Sequence, residues 1–276
     1  MPGLEKRILT LGTKTVGSPL FWGIEESGRD HYLTGEKSPA LAVQMYGSDD
    51  KDKSNTLFRL ICALANRSTI VFCNQREFVE EVSHALKEKS IVNVFYHGAM
   101  EQQERDSALC KFRNGTSNVL VTTDLAARGL DIPNIRYIIH YQLPNTQESF
   151  THRNGRTARM EASGTAILIL APGERVPEYI SPAPTTIDLP PTAEVPQKPV
   201  WTTLFIAAGK KDKVNKVDIV GFLTNRGQLK KEDIGLIEVK DFFSFVAVRK
   251  SKASHTLQMI KEQKIKNKKV KIDVAK

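Results

Sequence analysis

The segment FTHRNGRTARM, residues 150–160, gathers His152, Arg153, Arg156 and Arg159 around Gly155. Side chains three residues apart on a helix or tight turn are rotated only modestly from one another. Gly155 and Ala158 keep the surface between the arginines small. A guanidinium is planar, always charged and forked, which suits phosphate and the charge that spreads over a transferring phosphoryl group. A solvated face more often mixes lysine with glutamate. On this stretch alone, phosphate chemistry and a plain basic helix end both stay open.

Two other stretches carry residues of the same kind. In FYHGAMEQQER, Gly98 precedes a helix whose Gln102, Arg105, Leu109 and Phe112 share one stripe. Leu109 and Phe112 are expected to bury, leaving Gln102 and Arg105 in the first turn. Gly98 lets a ligand backbone approach closely. An ordinary amphipathic helix with a polar start fits this stretch equally well. TTDLAARGLDIP ends a strand and opens a short helix, so the Thr123 hydroxyl and free backbone N–H groups are expected to face outward. Asp124 serves equally as an N-cap. Asp131, held by Pro133, offers a carboxylate to a ribose.

These loops need a scaffold, and the pattern supplies one. Leu57, Leu60, Ile61 and Leu64 recur at helical spacing, as do Phe78, Val82, Ala85 and Leu86. STIVFC, IVNVFY, NVLVTT, IRYIIHY and GTAILIL read as short buried strands. A helix ending at Gly115 and a short one around TQESFTHRN lie among them. This alternation predicts a doubly wound, mostly parallel α/β sheet. In such sheets ligands bind beyond the carboxyl ends of the strands. The domain is expected over residues 46–180, with 1–45 unassigned. Residues 181–200 hold six prolines and read as an extended, semi-rigid linker. Residues 201–276 follow the order βαββαβ of a small ferredoxin-like, RRM-like module.

Charge divides along the same line. From Trp201 onward 18 Lys and Arg face 8 Asp and Glu, whereas the preceding 200 residues sum to −1. A basic tail on a near-neutral body points to a polyanion, or more plainly to a cationic soluble domain. Within the tail, GKKDKVNK places Lys210, Lys211, Lys213 and Lys216 after the first strand, where phosphate contact is expected. Phe243 and Phe245 alternate onto one face and either stack bases or fill a core. Cys62, Cys73 and Cys110 form no CxxC pair, which excludes a disulfide framework and predicts no metal site. No signal peptide or spanning segment is read, so a cytoplasmic location is expected.

HRNGRTAR resembles motif VI of the DEAD-box RNA helicases, His-Arg-x-Gly-Arg-x-x-Arg. IVFCN resembles motif IV, HGAMEQQERDSALCKFRNG the next block, and VLVTTDLAARGLDIP motif V, in the family's order. The tail is similar to the RNA-binding domain of DbpA-type helicases. The resemblance implies a second RecA-like domain over roughly residues 50–180. It implies that Arg156 and Arg159 are arginine fingers reaching the γ-phosphate of ATP on a partner RecA-like domain. Gly129, Asp131, His152 and Arg153 would bind nucleotide or couple the two domains, Asp131 at the ribose. Gly98, Arg105 and Thr123 would hold RNA phosphates, with Gln102 and Arg128 nearby, and Phe72 would pack on the arginine cluster.

The resemblance further implies ATP and Mg2+ as cofactors of the intact two-domain enzyme, and structured large-subunit ribosomal RNA as substrate in ribosome assembly. The linker would tether the core to RNA held by the tail. Neither a GxxxxGK[ST] loop nor an Asp-Glu-Ala-Asp box occurs in the sequence. The chain, expected to be monomeric and the C-terminal half of such an enzyme, should therefore lack RNA-stimulated ATPase activity without a first RecA-like domain. The alternative is a non-enzymatic RNA-binding protein derived from a helicase.

Overall fold

In a computed structural model of the chain, residues 41–127, 132, 135–155, 164–181, 183–190 and 194–276 are described. The larger domain runs β1 (Ala42–Gly47), α1 (Ser54–Leu64), β2 (Thr69–Cys73), α2 (Arg76–Glu88), β3 (Asn93–Tyr96) and α3 (Gln102–Arg113). It continues with β4 (Val119–Thr123), α4 (Asp124–Ala127), β5 (Tyr137–His140), α5 (Gln147–Asn154), β6 (Thr165–Leu170) and β7 (Thr185–Thr186). The strands form one sheet in the order β3-β4-β2-β5-β6-β1-β7, and all its pairings are parallel. This is the RecA-like α/β architecture expected from the sequence.

Helices cover both faces, so the central strands are apolar on both sides. Every residue of β2 is buried. Leu57, Leu60, Val79, Val82 and Leu86 fill one face with Val71, Val121 and Ile139. Leu109 and Phe112 fill the other with Ile70, Phe72, Leu120 and Ile138. One expected stripe is displaced by a residue: α2 buries Val79, Val82, Ser83 and Leu86, while Phe78 is exposed.

Two boundaries differ from expectation. The sheet starts at β1, four residues before the expected domain start, because β1 pairs with β6 along its whole length. Only Val43 of β1 is buried, so its sequence carries no strong apolar run. The proline-rich segment is extended but not a free tether. β7 pairs with β1, and the Ile187 N–H donates to the Met45 carbonyl at 2.9 Å. Ile187 and Leu189 pack against the core, and Arg59 donates to the Pro190 carbonyl at 3.0 Å. Prolines leave the carbonyl side of the backbone free to pair, so one edge of such a segment can still join a sheet.

The small module contains β8 (Trp201–Ile206), α6 (Lys216–Asn225), β9 (Ile234–Val239), β10 (Ser244–Arg249), α7 (Lys250–Ile260), the β11–β12 hairpin (Lys264–Ile265, Lys268–Lys269) and β13 (Ile272–Val274). Its antiparallel sheet has the order β13-β8-β10-β9. Alternation along the strands gives each face its own role. Leu204, Ile206, Val246 and Val248 form a core with α6 and α7. Phe205 and Phe245, paired across β8 and β10, point the other way and join Phe243, Cys110 and Ala275 in a second cluster.

Cys110 belongs to α3, so the aromatic face of the module is closed against the larger domain. Phe245 is buried and Phe243 half-buried in this interface, on the face opposite the module's own core. Polar links surround the cluster. Arg113 donates from Nε and Nη2 to both Glu238 oxygens at 2.8 and 2.9 Å. Lys240 lies 3.2 Å from Asp106, and Asn114 donates to the Thr203 hydroxyl at 2.8 Å. A half-buried, bidentate pair is worth more than an exposed one. A double-mutant cycle on Arg113→Ala and Glu238→Ala, read by thermal unfolding, should give a coupling of about 1–3 kcal/mol. Additive losses would show that the pair does not join the domains.

Candidate nucleic-acid and nucleotide site

The parallel order brings four loops to one edge. Gly98 follows β3, Thr123 and Asp124 end β4 and open α4, Asn74 follows β2, and Gln142 follows β5. Cys73 of β2 stands beside Thr123, and Phe72 beside His140.

Arg153 occupies the centre of this edge, and it is buried to 1% exposure. Its Nε and Nη2 donate to the two Asp124 oxygens at 2.5 and 2.8 Å. Nη2 also reaches Asn74 Oδ1 at 2.7 Å, and Nη1 reaches the Gln142 carbonyl at 2.8 Å. The guanidinium lies 5.2 Å from the Phe72 ring centroid, so Phe72 is at once core and a floor for the charge. The resemblance implies that Arg153 binds nucleotide or couples the domains; in the structure its side chain turns inward as a strut. An arginine charge is tolerated at such depth only when paired and fully hydrogen-bonded, and three strand ends supply those partners.

His140 completes the arrangement. It lies between Phe72 and Phe150, at centroid distances of 6.5 and 5.3 Å. Its Nδ1 is 3.4 Å from Arg153 Nη1, and its Nε2 is 3.2 Å from Asn154 Oδ1. With Arg153 able only to donate, Nδ1 accepts and the proton sits on Nε2. Full burial, reinforced by the Arg153 charge, pushes the imidazole pKa down to about 3.

α5 presents this strut because Thr146 caps it, accepting from the Ser149 N–H at 3.1 Å. His152, one residue from the strut, is exposed on the outside of α5, with Nδ1 3.7 Å from Glu148. On the outer part of the edge, Gly98 has nothing within 4 Å of where a Cβ would stand, so space in front of its backbone is open. The preceding His97 is buried, with Nε2 2.9 Å from Glu80 Oε1. Glu104 turns back to the Glu101 N–H at 3.1 Å to cap α3. Arg105 donates to Gln102 Oε1 at 2.7 Å, so the two form a unit in the first turn. Thr123 is half-buried at its strand end.

Arg128, Gly129, Asp131, Arg156 and Arg159 lie outside the described residues. Asn74, His140, Gln142 and Asn154 were not singled out in the sequence, although Asn74 closes the IVFCN stretch at a strand's carboxyl end. In the module, Lys210, Lys211, Lys213 and Lys216 are all exposed. They flank a capping box in which Asn215 Oδ1 accepts from the Asp218 N–H at 3.0 Å and Asp218 accepts from the Asn215 N–H at 2.8 Å.

The first part of the chain matches the helicase conserved C-terminal domain over residues 52–161, and the last part matches the DbpA RNA binding domain over residues 203–274. Fold and site therefore define the C-terminal RecA-like domain of a helicase joined to an RNA-binding module. The ATP-dependent RNA helicase DbpA of Escherichia coli is 36% identical over 86% of this chain and 53% of its own length. Its Bacillus subtilis namesake is 32% identical over 75% and 49%. The E. coli DEAD-box protein SrmB superposes with a TM-score of 0.51 at 32% identity, covering 57% of this chain and 98% of that one. The chain belongs to the DbpA-like DEAD-box helicases and corresponds to their C-terminal part. It spans about half the length of the two DbpA relatives.

Two stability measurements check the strut. Arg153→Met should cost about 3–5 kcal/mol, because Asp124, Asn74 and Gln142 lose their common donor; a loss under about 1 kcal/mol in denaturant titration would contradict the assignment. Folded His140 stays neutral down to about pH 3, whereas the unfolded chain protonates it near pH 6.5. Between those values the unfolded state holds the extra proton, so stability falls as pH drops below about 6.5, by up to roughly 1.4 kcal/mol per unit. His140→Asn should remove that share of the slope.

Proposed function

We propose that this chain is the C-terminal part of an ATP-dependent helicase for structured RNA, with large-subunit ribosomal RNA as substrate class, ribosome assembly as setting and the cytoplasm as location. The observation that supports it most directly is the Arg153 clamp, which ties the loop after β4 to the last turn of α5. Both expected phosphate-reading segments, 128–131 and 156–159, continue from elements joined by that clamp. In this reading Arg156 and Arg159 stabilise charge on the γ-phosphate of ATP presented by a first RecA-like domain. Asp131 accepts from the ribose beside Gly129, and His152, exposed one residue from the strut, couples the two domains.

RNA phosphates lie along the outer edge, on the open backbone at Gly98, the Arg105 and Gln102 pair, Thr123 and Arg128. Arg156, Arg159 and Asp131 bring the donor and acceptor types that suit the nucleotide's phosphates and ribose. Among the described residues no three His, Cys, Asp or Glu side chains converge to hold a metal. The cation's ligands would come from the first domain. The lysine-bearing module anchors the enzyme on a structured RNA element, at a fixed position because it is docked on α3.

Mixing the chain with a separately produced first RecA-like domain, ATP and RNA tests this. Hydrolysis should appear in the mixture and not with the chain alone. Arg156→Ala should lower it by about a thousandfold or more while leaving thermal stability unchanged. Hydrolysis indifferent to Arg156 would leave the non-enzymatic RNA-binding reading in its place. A ribosomal hairpin that binds no better than random duplex would remove the ribosomal assignment.

A further inference from the structure

The module's aromatic face is closed, which raises the question of where a base could stack. The two most exposed large apolar side chains among the described residues are Val217, at 78%, and Phe242, at 70%. Val217 follows Lys216, and Phe242 is at the tip of the β9–β10 hairpin, next to the inward-facing Phe243. That tip is joined to the lysine loop by backbone bonds: Lys210 N–H donates to the Lys240 carbonyl at 2.9 Å, and Lys211 N–H to the Asp241 carbonyl at 2.8 Å. The approach is so close that a Cβ on Gly209 would stand 2.3 Å from the Lys240 oxygen. Phe242 is thus held in fixed register beside Lys210, Lys211 and Lys213.

Charge around this rim, formed by the hairpin tip and the lysine loop, is partly paired. Two nearby acids are paired from the β11–β12 hairpin, Asp212 by Lys268 at 2.5 Å and Asp218 by Lys266 at 3.0 Å, while Asp241, beside Phe242, is exposed. None of the ion pairs among the described residues engages Lys210, Lys211, Lys213 or Lys216. An exposed aromatic ring is costly to leave in water, and with cations around it the matching ligand presents an apolar face edged by phosphates. Lys240, two residues before Phe242, pairs with Asp106, the neighbour of Arg105. The rim therefore adjoins the first turn of α3 on the RNA edge of the larger domain.

We propose that Phe242 stacks an unpaired RNA base while Lys210, Lys211 and Lys213 hold its flanking phosphates. The inference rests on the RNA-binding reading above and adds to it the residue that meets a base. It replaces Phe243 and Phe245 in that role.

Two labelled probes test it with the full chain in a salt series: an RNA stem-loop with a mixed-sequence loop, and a blunt RNA duplex of equal length. Phe242→Ala should weaken stem-loop binding about tenfold or more, leave the duplex nearly unchanged, and keep the salt slope. Phe242→Trp should restore binding. Lys211→Gln should weaken both probes and flatten the log–log salt slope by roughly 0.7–0.9. Stem-loop binding unaffected by Phe242→Ala, or a loss equal on both probes, overturns the stacking role while RNA binding stands. If the wild-type chain binds neither probe, the RNA reading itself falls.

Discussion

One buried charge organises the ligand edge of this protein. Taking a guanidinium out of water costs several kcal/mol unless every donor is matched, and Arg153 is matched by the ends of three adjacent strands. Asn74 after β2, Asp124 after β4 and Gln142 after β5 are spaced as the 4.7–4.9 Å strand separation dictates, so one forked side chain spans them. The same geometry decides the state of His140, whose nitrogen can accept from Arg153 only as the neutral ring. Removing Arg153 would take the common donor from Asp124, Asn74 and Gln142 at once. The edge therefore behaves as a unit, with the chain's expected nucleotide-facing residues continuing from both of its ends.

A second constraint is that α3 serves two cores. Leu109 and Phe112 belong to the large sheet, Cys110 and Arg113 to the interface with the module. The helix is apolar on opposite sides of its last two turns and polar in its first, where Gln102 and Arg105 stay available. A rigid helix shared in this way transmits position: the rim of the module is fixed relative to the RNA edge without reliance on the linker. The linker's own pairing, through Ile187 and Arg59, is consistent with a strap along the domain.

What the sequence made legible follows from what is local. Strands with continuous apolar runs, such as TIVFC and VLVTT, and helices with a clear stripe were readable because period and burial coincide. The strand AVQMYG was not, since a single buried valine leaves no pattern and its pairing with β6 is set more than a hundred residues away. The arginine cluster was legible as chemistry, but not which arginine would turn inward, because that depends on carboxylate and amide groups from three separate loops. The displaced stripe of α2 has a similar origin: Phe78 and Val79 differ by one helical step, and only the neighbouring elements decide which of them is covered.

The module's excess of lysine is divided by its ion pairs into paired and unpaired sets. Lysines occur throughout its sequence, and four in and just after the β11–β12 hairpin are opposite carboxylates: Lys266 and Asp218, Lys268 and Asp212, Lys269 and Glu262, Lys271 and Asp273. Exposed pairs of this kind add little stability, and each cancels one positive charge along with one negative. Glu238 and Asp106 are likewise engaged by Arg113 and Lys240 at the interface. On the turn that carries Lys210, Lys211, Lys213 and Lys216, four exposed lysines stand together, and none is in an ion pair among the described residues. Closing the Phe205, Phe243 and Phe245 face against α3 moves the module's available chemistry from the sheet to its rim.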